Sequence, residues 1–139
     1  MKRGGLIMND LFVDYDIALE LKKLGFDEPC FCYFIGTKER IFSTIYTEND
    51  ILPSNSDLIL NWVSCPLKYQ VFKWFREVHK LNSYICFVGA DYPTVDKYFE
   101  AYNYVIGEDL GEFIKDTYEE TELEVIKQMI NIVKNGKNI

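Results

Sequence analysis

Residues 65–77 read CPLKYQVFKWFRE, and this stretch predicts an amphipathic helix with a strongly aromatic inner face. Ser64 can cap the helix through its hydroxyl oxygen, and Pro66 stands near the first turn, where its missing N–H costs nothing. Asn82 is expected to end the helix. The inward stripe consists of apolar residues at helical spacing: Leu67, Val71, Trp74, Phe75 and Val78, with Phe72 on its flank.

A shorter helix is predicted upstream, over residues 14–24. Asp14 or Asp16 can cap it, since a carboxylate there accepts from free backbone N–H groups and favours the positive end of the helix dipole. Gly25 then supplies the left-handed residue at which a helix stops.

Between the two helices, β-branched and aromatic residues predict a hairpin. Residues 30–35 and 40–46 form its strands, with a turn at residues 36–39. Residues 47–57 are mostly polar and predict a loop, and residues 58–63 are a candidate third strand.

Downstream of the aromatic helix, two strands are predicted over residues 83–88 and 97–106, joined by a turn at 89–94. The final helix has the best start signal, because Thr117 and Glu120 stand at capping-box spacing. Asn135 and Gly136 close it.

These elements predict an α+β fold in the order α-β-β-(β)-α-β-β-α, with a mostly antiparallel sheet packed against helices. Residues 14–135 are expected to form one domain. Residues 1–13 are expected to be a flexible N-terminus, and residues 136–139 a C-terminal tail.

Composition limits the function classes. The chain has 139 residues, 48% of them apolar and 16% aromatic, with a formal net charge of −7 and a pI near 4.7. A negative surface disfavours binding to nucleic acid through its phosphates. A small anionic ligand in a local basic pocket remains compatible with this charge.

No signal peptide and no run of ~18 apolar residues is found in the sequence. We therefore expect a cytoplasmic protein without a membrane partner. The four cysteines are expected to be reduced thiols in that compartment.

No catalytic or metal-binding motif stands out. Cys30 and Cys32 would place two thiols on one face of a strand, yet zinc needs four ligands, and Cys65 and Cys86 stand alone in the sequence. Buried cysteines are the favoured interpretation, and His79 near a helix end is best explained as structural. We predict no catalytic residues, no metal site and no cofactor.

One constellation is typical of ligand binding. Aromatic side chains can stack on a planar group and cations can contact phosphates. The candidates are Tyr33, Tyr69, Trp74 and Tyr84 for stacking, and Arg40, Lys68 and Arg76 for phosphate contacts. Aromatics at helical or strand spacing are more often core, and this alternative stays open.

Three segments resemble a family of small, mostly uncharacterised proteins of tailed bacteriophages and prophages. They are LGFDEPC at residues 24–30, the pattern PLxxQxFxWFRE at residues 66–77, and YEE at residues 118–120. The chain departs from the family pattern at Cys65, at Lys68-Tyr69 and at Lys73. The resemblance implies phage origin, and hence the cytoplasm of a bacterial host, without an established chemistry.

Phage origin and the lack of a catalytic motif favour a non-enzymatic binding protein. The leading hypothesis is an anti-defence sponge that sequesters a nucleotide immune signal, either a cyclic ADP-ribose derivative or a cyclic oligonucleotide. The alternative is an acidic protein-interaction module or inhibitor that docks on a host or phage protein. A nucleotide hydrolase would need a base or metal that the sequence does not offer. A homo-oligomer is one of the states left open.

Overall fold

The computed structural model describes residues 11–36, 38–43, 52–59, 61–88, 98–105, 108–115 and 117–136. In these ranges the chain forms three α-helices, one short 3₁₀ helix and six β-strands. The chain divides into two compact units, Met1–Val71 and Phe72–Ile139.

Helix α1 of the first unit spans Tyr15–Lys23. Its cap is Asp14, whose Oδ1 accepts from the backbone N–H of Ile17 at 3.0 Å, as the sequence predicted. Gly25 follows the helix with a positive φ of 96°, which a side chain would disfavour. One stripe of the helix is buried: Ile17, Ala18 and Leu21.

The sheet of the first unit is antiparallel, with strand order β2-β1-β3. Strand β1 spans Cys32–Ile35, β2 spans Arg40–Phe42 and β3 spans Trp62–Cys65. A 3₁₀ turn over Asn55–Asp57 precedes β3. Successive side chains alternate between the faces of a strand. The face that carries the core of this unit holds Cys32, Phe34, Val63 and Cys65, all buried.

Helix α2 spans Lys68–Val78, and the boundary between the units falls inside it. Its start is fixed by Gln70, whose Oε1 accepts from the backbone N–H of Leu67 at 2.9 Å. Its end is marked by Lys80, whose φ of 57° is left-handed, and by the N–H of Leu81 on the carbonyl of Phe75 at 3.1 Å.

The second unit holds an antiparallel sheet in the order β4-β5-β6, with helix α3 against all three strands. Strand β4 spans Asn82–Val88, β5 spans Tyr98–Val105, β6 spans Glu108–Lys115, and α3 spans Tyr118–Lys134. Thr117 Oγ1 accepts from the N–H of Glu120 at 3.1 Å, which confirms the Thr117 half of the predicted capping box. The buried stripe of α3 is Thr121, Val125, Ile126, Met129, Ile130 and Ile132.

The predicted fold class is confirmed, because the described chain mixes helices with antiparallel sheets. Strand β6 is an addition to the predicted order. Its sequence, EDLGEFIK, contains acidic residues and a glycine, which lower β-propensity and hid it. The extent of a single domain over residues 14–135 stays a prediction.

Three predictions around α2 were wrong. Asn82 does not end this helix, which stops at Val78, because Asn82 is the first residue of β4. Ser64 does not cap this helix, since it lies in β3 opposite Tyr33. Val78 does not belong to the buried stripe, because it is exposed at the last residue of the helix. The predicted turn at residues 89–94, the strand end at 44–46 and the terminal segments 1–10 and 137–139 lie outside the described residues.

Among the helices of the described residues, none is long and apolar enough to cross a membrane.

Candidate functional site

A cleft of about 630 Å³ opens in the first unit where α1 passes the ends of β1 and β3. Strands β1 and β3 are antiparallel, so Ile35 at the end of one lies opposite Trp62 at the start of the other. Gly36 and Asn61, the residues just beyond this pair, therefore reach the same edge. The cleft is lined by Tyr15, Leu19, Lys22, Lys23, Gly36, Asn61 and Val63.

Helix α1 places four of these side chains on one side of the cleft. Tyr15, Leu19, Lys22 and Lys23 stand at i, i+4, i+7 and i+8, which is the spacing of one helix face. The stripe that the helix buries includes Leu21 and lies beside this face. The packing of α1 therefore also orients its cleft-lining residues.

The two lysines bring positive charge to an acidic chain. Lys22 Nζ donates to the carbonyl oxygen of Trp62 at 2.8 Å, which ties the end of α1 to the start of β3. Lys23 Nζ forms an ion pair with Glu20 Oε1 at 3.5 Å. The Lys23 side chain is well exposed and the Glu20 side chain partly exposed. Both lysines therefore belong to the α1 wall of the cleft, with each ammonium group also held by a protein oxygen.

Tyr15 and Gly36 shape the rest of the opening. The Tyr15 ring meets the Phe34 ring edge-on, with centroids 5.4 Å apart and an interplanar angle of 89°. This contact fixes the ring while the residue remains half-buried. Gly36 turns the chain with a φ of 63°, so the backbone leaves β1 without a side chain at this rim.

The polar side chains that line the cleft can all donate hydrogen bonds. Two ammonium groups, a phenol and an amide can hold an anion or a polar ligand, with Leu19 and Val63 as an apolar floor. The cleft volume falls within the range of about 300–1,000 Å³ that is common for small-molecule sites. The arrangement therefore suits the binding of a small anionic compound.

None of the seven sequence-predicted site residues belongs to this lining. In the first unit, Tyr33 stacks on Trp62 with centroids 5.2 Å apart and 8° between the planes. Lys68 is buried at the start of α2, whereas Tyr69 beside it is 70% exposed. Arg40 lies against the buried cysteines described below.

The other three lie in the second unit. Trp74 is 5% exposed, and its ring meets the rings of Phe75 and His79 edge-on at 5.0 and 4.6 Å. Arg76 and Tyr84 are exposed. Trp74 therefore occupies the core position that the sequence left open, and the ligand-binding role of the seven residues stays a prediction.

The residues that line the cleft were missed by the sequence analysis. Their signal was the face of α1 next to the apolar stripe, on which a tyrosine and two lysines recur at helical spacing. The partner residues Gly36 and Asn61 join them only through the pairing of β1 with β3.

Three buried cysteines gather in the core of the same unit. Cys65 does not stand alone as its sequence position suggested, because it lies directly opposite Cys32 in the sheet. Arg40 Nε donates to Cys65 Sγ at 3.3 Å, and Arg40 Nη2 donates to the carbonyl oxygen of Val13 at 2.8 Å. The guanidinium also lies over the Phe34 ring, 5.7 Å from its centroid.

The three thiols differ in acidity. The Cys32 thiol and the Arg40 guanidinium hold the pKa of Cys65 below its usual value, although burial opposes them. The hydrogen bond to Cys65 and burial raise the pKa of Cys32. Burial raises the pKa of Cys30 to about 12, and its thiol donates to the carbonyl oxygen of Glu28 at 3.3 Å. Cys65 is thus the thiol whose anion this unit stabilises.

The raised pKa of Cys30 predicts how the free energy of unfolding depends on pH. The unfolded chain releases the Cys30 proton above the ordinary pKa of 9.0, whereas the folded chain keeps it until about 12. The folded state then binds more protons, so the free energy of unfolding falls as pH rises through this window. The free energy of unfolding, measured in urea, should therefore fall faster with pH for the natural chain than for Cys30→Ala. The difference in slope should reach about 1.4 kcal/mol per pH unit between these limits. Parallel pH curves for the two proteins would contradict the prediction.

In the part of the chain that the structure describes, no group of three or more His, Cys, Asp or Glu side chains is placed to hold a metal ion. The chain matches no protein-family model, no curated protein and no solved structure.

Proposed function

We propose that this protein is a non-enzymatic binding protein that holds a small anionic ligand in the cleft beside α1. The observation that carries the proposal is the convergence of Lys22 and Lys23 on one wall of a 630 Å³ cleft in a chain of net charge −7. A local positive field in an acidic protein favours a small anion over a nucleic-acid duplex, because the surrounding surface repels a long polyanion.

The proposed ligand is nucleotide-like. The lysines would contact phosphate oxygens, and the Tyr15 hydroxyl and Asn61 amide would bond the sugar or base. The resemblance to tailed-phage proteins supports a role as a sponge that sequesters a cyclic nucleotide signal of host defence. Sequestration needs only tight burial of the ligand and uses no proton transfer.

The alternative, an acidic protein-interaction module, has a weaker basis in the described residues. Phe31 and Phe42 are exposed apolar side chains of the sort that docking surfaces use. Phe31 lies opposite Ser43, next to the pair of Cys32 and Phe42, so the two rings point to opposite faces of the sheet. They do not combine into one patch, and the cleft therefore supports ligand binding better.

The proposal predicts a thermal shift with defined probes. Cyclic ADP-ribose, a cyclic dinucleotide and inorganic pyrophosphate are added separately to the purified chain. A ligand at 100-fold excess over its Kd stabilises the folded state by ~2.7 kcal/mol. We expect at least one nucleotide probe to raise the melting temperature, and pyrophosphate to do so less because it lacks a base. If none of the probes does so while a host protein is captured at one-to-one stoichiometry, the interaction module would replace the binding protein.

Variants separate the cleft from the residues that the sequence favoured. Lys23→Gln removes one cleft charge and loses only a surface ion pair with Glu20, so its folding should be unchanged. Loss of a charged hydrogen bond costs about 1.5–3 kcal/mol, which raises Kd by roughly 10- to 100-fold. Arg76→Gln is the matched control in the second unit and should bind normally. If Arg76→Gln weakened binding and Lys23→Gln did not, the ligand site would lie near Arg76 instead.

A further inference from the structure

We propose that Cys32 and Cys65 form an oxidant-sensitive dithiol site, at which peroxide converts the reduced pair into a cross-strand disulfide. Both cysteines lie on the buried face of the first sheet, and their reaction does not depend on ligand binding in the cleft. The register of β1 with β3 sets the two sulfurs against each other, and Arg40 lies beside them.

The register brings the two cysteines into bonding range. Cys32 and Cys65 are directly paired across β1 and β3, so their side chains project from the same face. Opposed Cα atoms in antiparallel strands are about 4.5–5.5 Å apart, and disulfides span Cα distances of about 4.4–6.8 Å. The backbone therefore needs no large movement to accommodate a bond between the sulfurs.

The Cys32 side chain already contacts Cys65. Its thiol donates to the carbonyl oxygen of Cys65 at 3.3 Å. Both residues are 0% exposed, so neither thiol is turned toward solvent. The pair is held together by the core around it.

Arg40 makes Cys65 the nucleophile of the pair. Its Nε lies 3.3 Å from Cys65 Sγ, where a positive charge stabilises the thiolate. The neutral Cys65 thiol instead donates to the carbonyl oxygen of Val13 at 3.3 Å. Arg40 Nη2 also donates to that carbonyl at 2.8 Å, so ionisation of Cys65 leaves the oxygen satisfied. Arg40 is half-buried on β2, a three-residue strand at the edge of the sheet, and local opening of this strand is the expected route by which peroxide reaches Cys65.

The chemistry balances with hydrogen peroxide as the oxidant. The Cys65 thiolate attacks one peroxide oxygen, the O–O bond breaks, and Cys65 sulfenic acid and hydroxide form. The Cys32 sulfur then attacks the Cys65 sulfur, the S–O bond breaks, and the departing hydroxide takes up the Cys32 proton as water. The hydroxide from the first step takes up the proton that Cys65 released on ionisation. The two thiols thus lose two electrons, and peroxide is reduced to two molecules of water.

The remaining cysteines serve as internal references. Cys30 is buried with its thiol on the carbonyl oxygen of Glu28, and no cation contacts it among the described hydrogen bonds. Cys86 is exposed on β4 in the second unit, where the described chain places no other cysteine. Neither has the combination of a facing thiol and a guanidinium.

The test treats the whole reduced chain with hydrogen peroxide, then unfolds it in an alkylating reagent and maps the cysteines by mass spectrometry. We expect the Cys32 and Cys65 peptides to be linked, with the mass of two hydrogen atoms lost, and Cys30 to be alkylated. Cys86→Ser should give the same link at the same rate. Arg40→Lys, which keeps the charge but not the double contact, should slow the link by at least roughly tenfold if Arg40 positions and activates Cys65.

Two results would overturn the proposal. One is a peroxide-treated Cys86→Ser protein in which Cys32 and Cys65 are both alkylated. The other is a link that forms only after urea is added, because it would then belong to the unfolded chain. Cys86→Ser keeps the whole buried cluster, so the test does not depend on the stability of a core variant.

Discussion

Replacing Arg40 with alanine is expected to lower the free energy of unfolding by about 2–4 kcal/mol at neutral pH. The guanidinium bonds both Cys65 Sγ at 3.3 Å and the Val13 carbonyl oxygen at 2.8 Å. Its removal leaves a buried sulfur without its cation and a buried carbonyl without its charged donor. Urea unfolding with linear extrapolation measures the loss.

Two further variants serve as comparisons for Arg40→Ala. Arg76→Ala removes an exposed guanidinium in the second unit and should change the free energy of unfolding by less than about 0.5 kcal/mol. Arg40→Lys should fall between alanine and the natural residue, because one ammonium group cannot reproduce the two-atom contact of the guanidinium fork. If Arg40→Ala matched Arg76→Ala, the contacts of Arg40 would contribute nothing to stability.

The parts of the fold that the sequence predicted are those determined by near neighbours. Asp14 and Thr117 cap helices because their side chains reach backbone N–H groups three residues away. The strands of the first hairpin follow the β-propensity of their own residues. In each case the decisive interactions span only a few residues.

The wrong predictions involve partners that are distant in sequence. Ser64 is a good helix-capping residue, but pairing with Tyr33 draws it into β3, and Gln70 takes over at the start of α2. The capping preference is worth about 1 kcal/mol, which the burial of Val63 and Cys65 exceeds.

The candidate site was not found from the sequence because its partners, too, are distant along the chain. Lys22 reaches the carbonyl of Trp62 across 40 positions in sequence, and Cys32 meets Cys65 across 33. Periodicity places Lys22 on a helix face and Cys32 on a strand face, but it does not identify what lies opposite them. The sheet register, which no local pattern determines, creates both the cleft and the dithiol.

Replacing Trp74 with alanine is expected to lower the free energy of unfolding by about 3–5 kcal/mol, more than Arg40→Ala does. The side chain is 5% exposed, so the truncation leaves a cavity that the helix fills only in part. It also removes the edge contacts with Phe75 and His79, at 5.0 and 4.6 Å between ring centroids. Urea unfolding followed by circular dichroism measures the loss, since the variant lacks the indole that fluorescence would report in this unit.

Two further variants decide whether Trp74 serves the core or a ligand. Tyr69→Ala truncates an aromatic ring that is 70% exposed and should cost less than about 0.5 kcal/mol. Trp74→Phe keeps most of the buried apolar volume and should recover much of the stability lost in Trp74→Ala. Under the core interpretation, Trp74→Phe also retains the thermal shift given by a nucleotide probe. If Trp74→Ala kept its stability but lost that shift, Trp74 would be the stacking residue that its sequence context suggested.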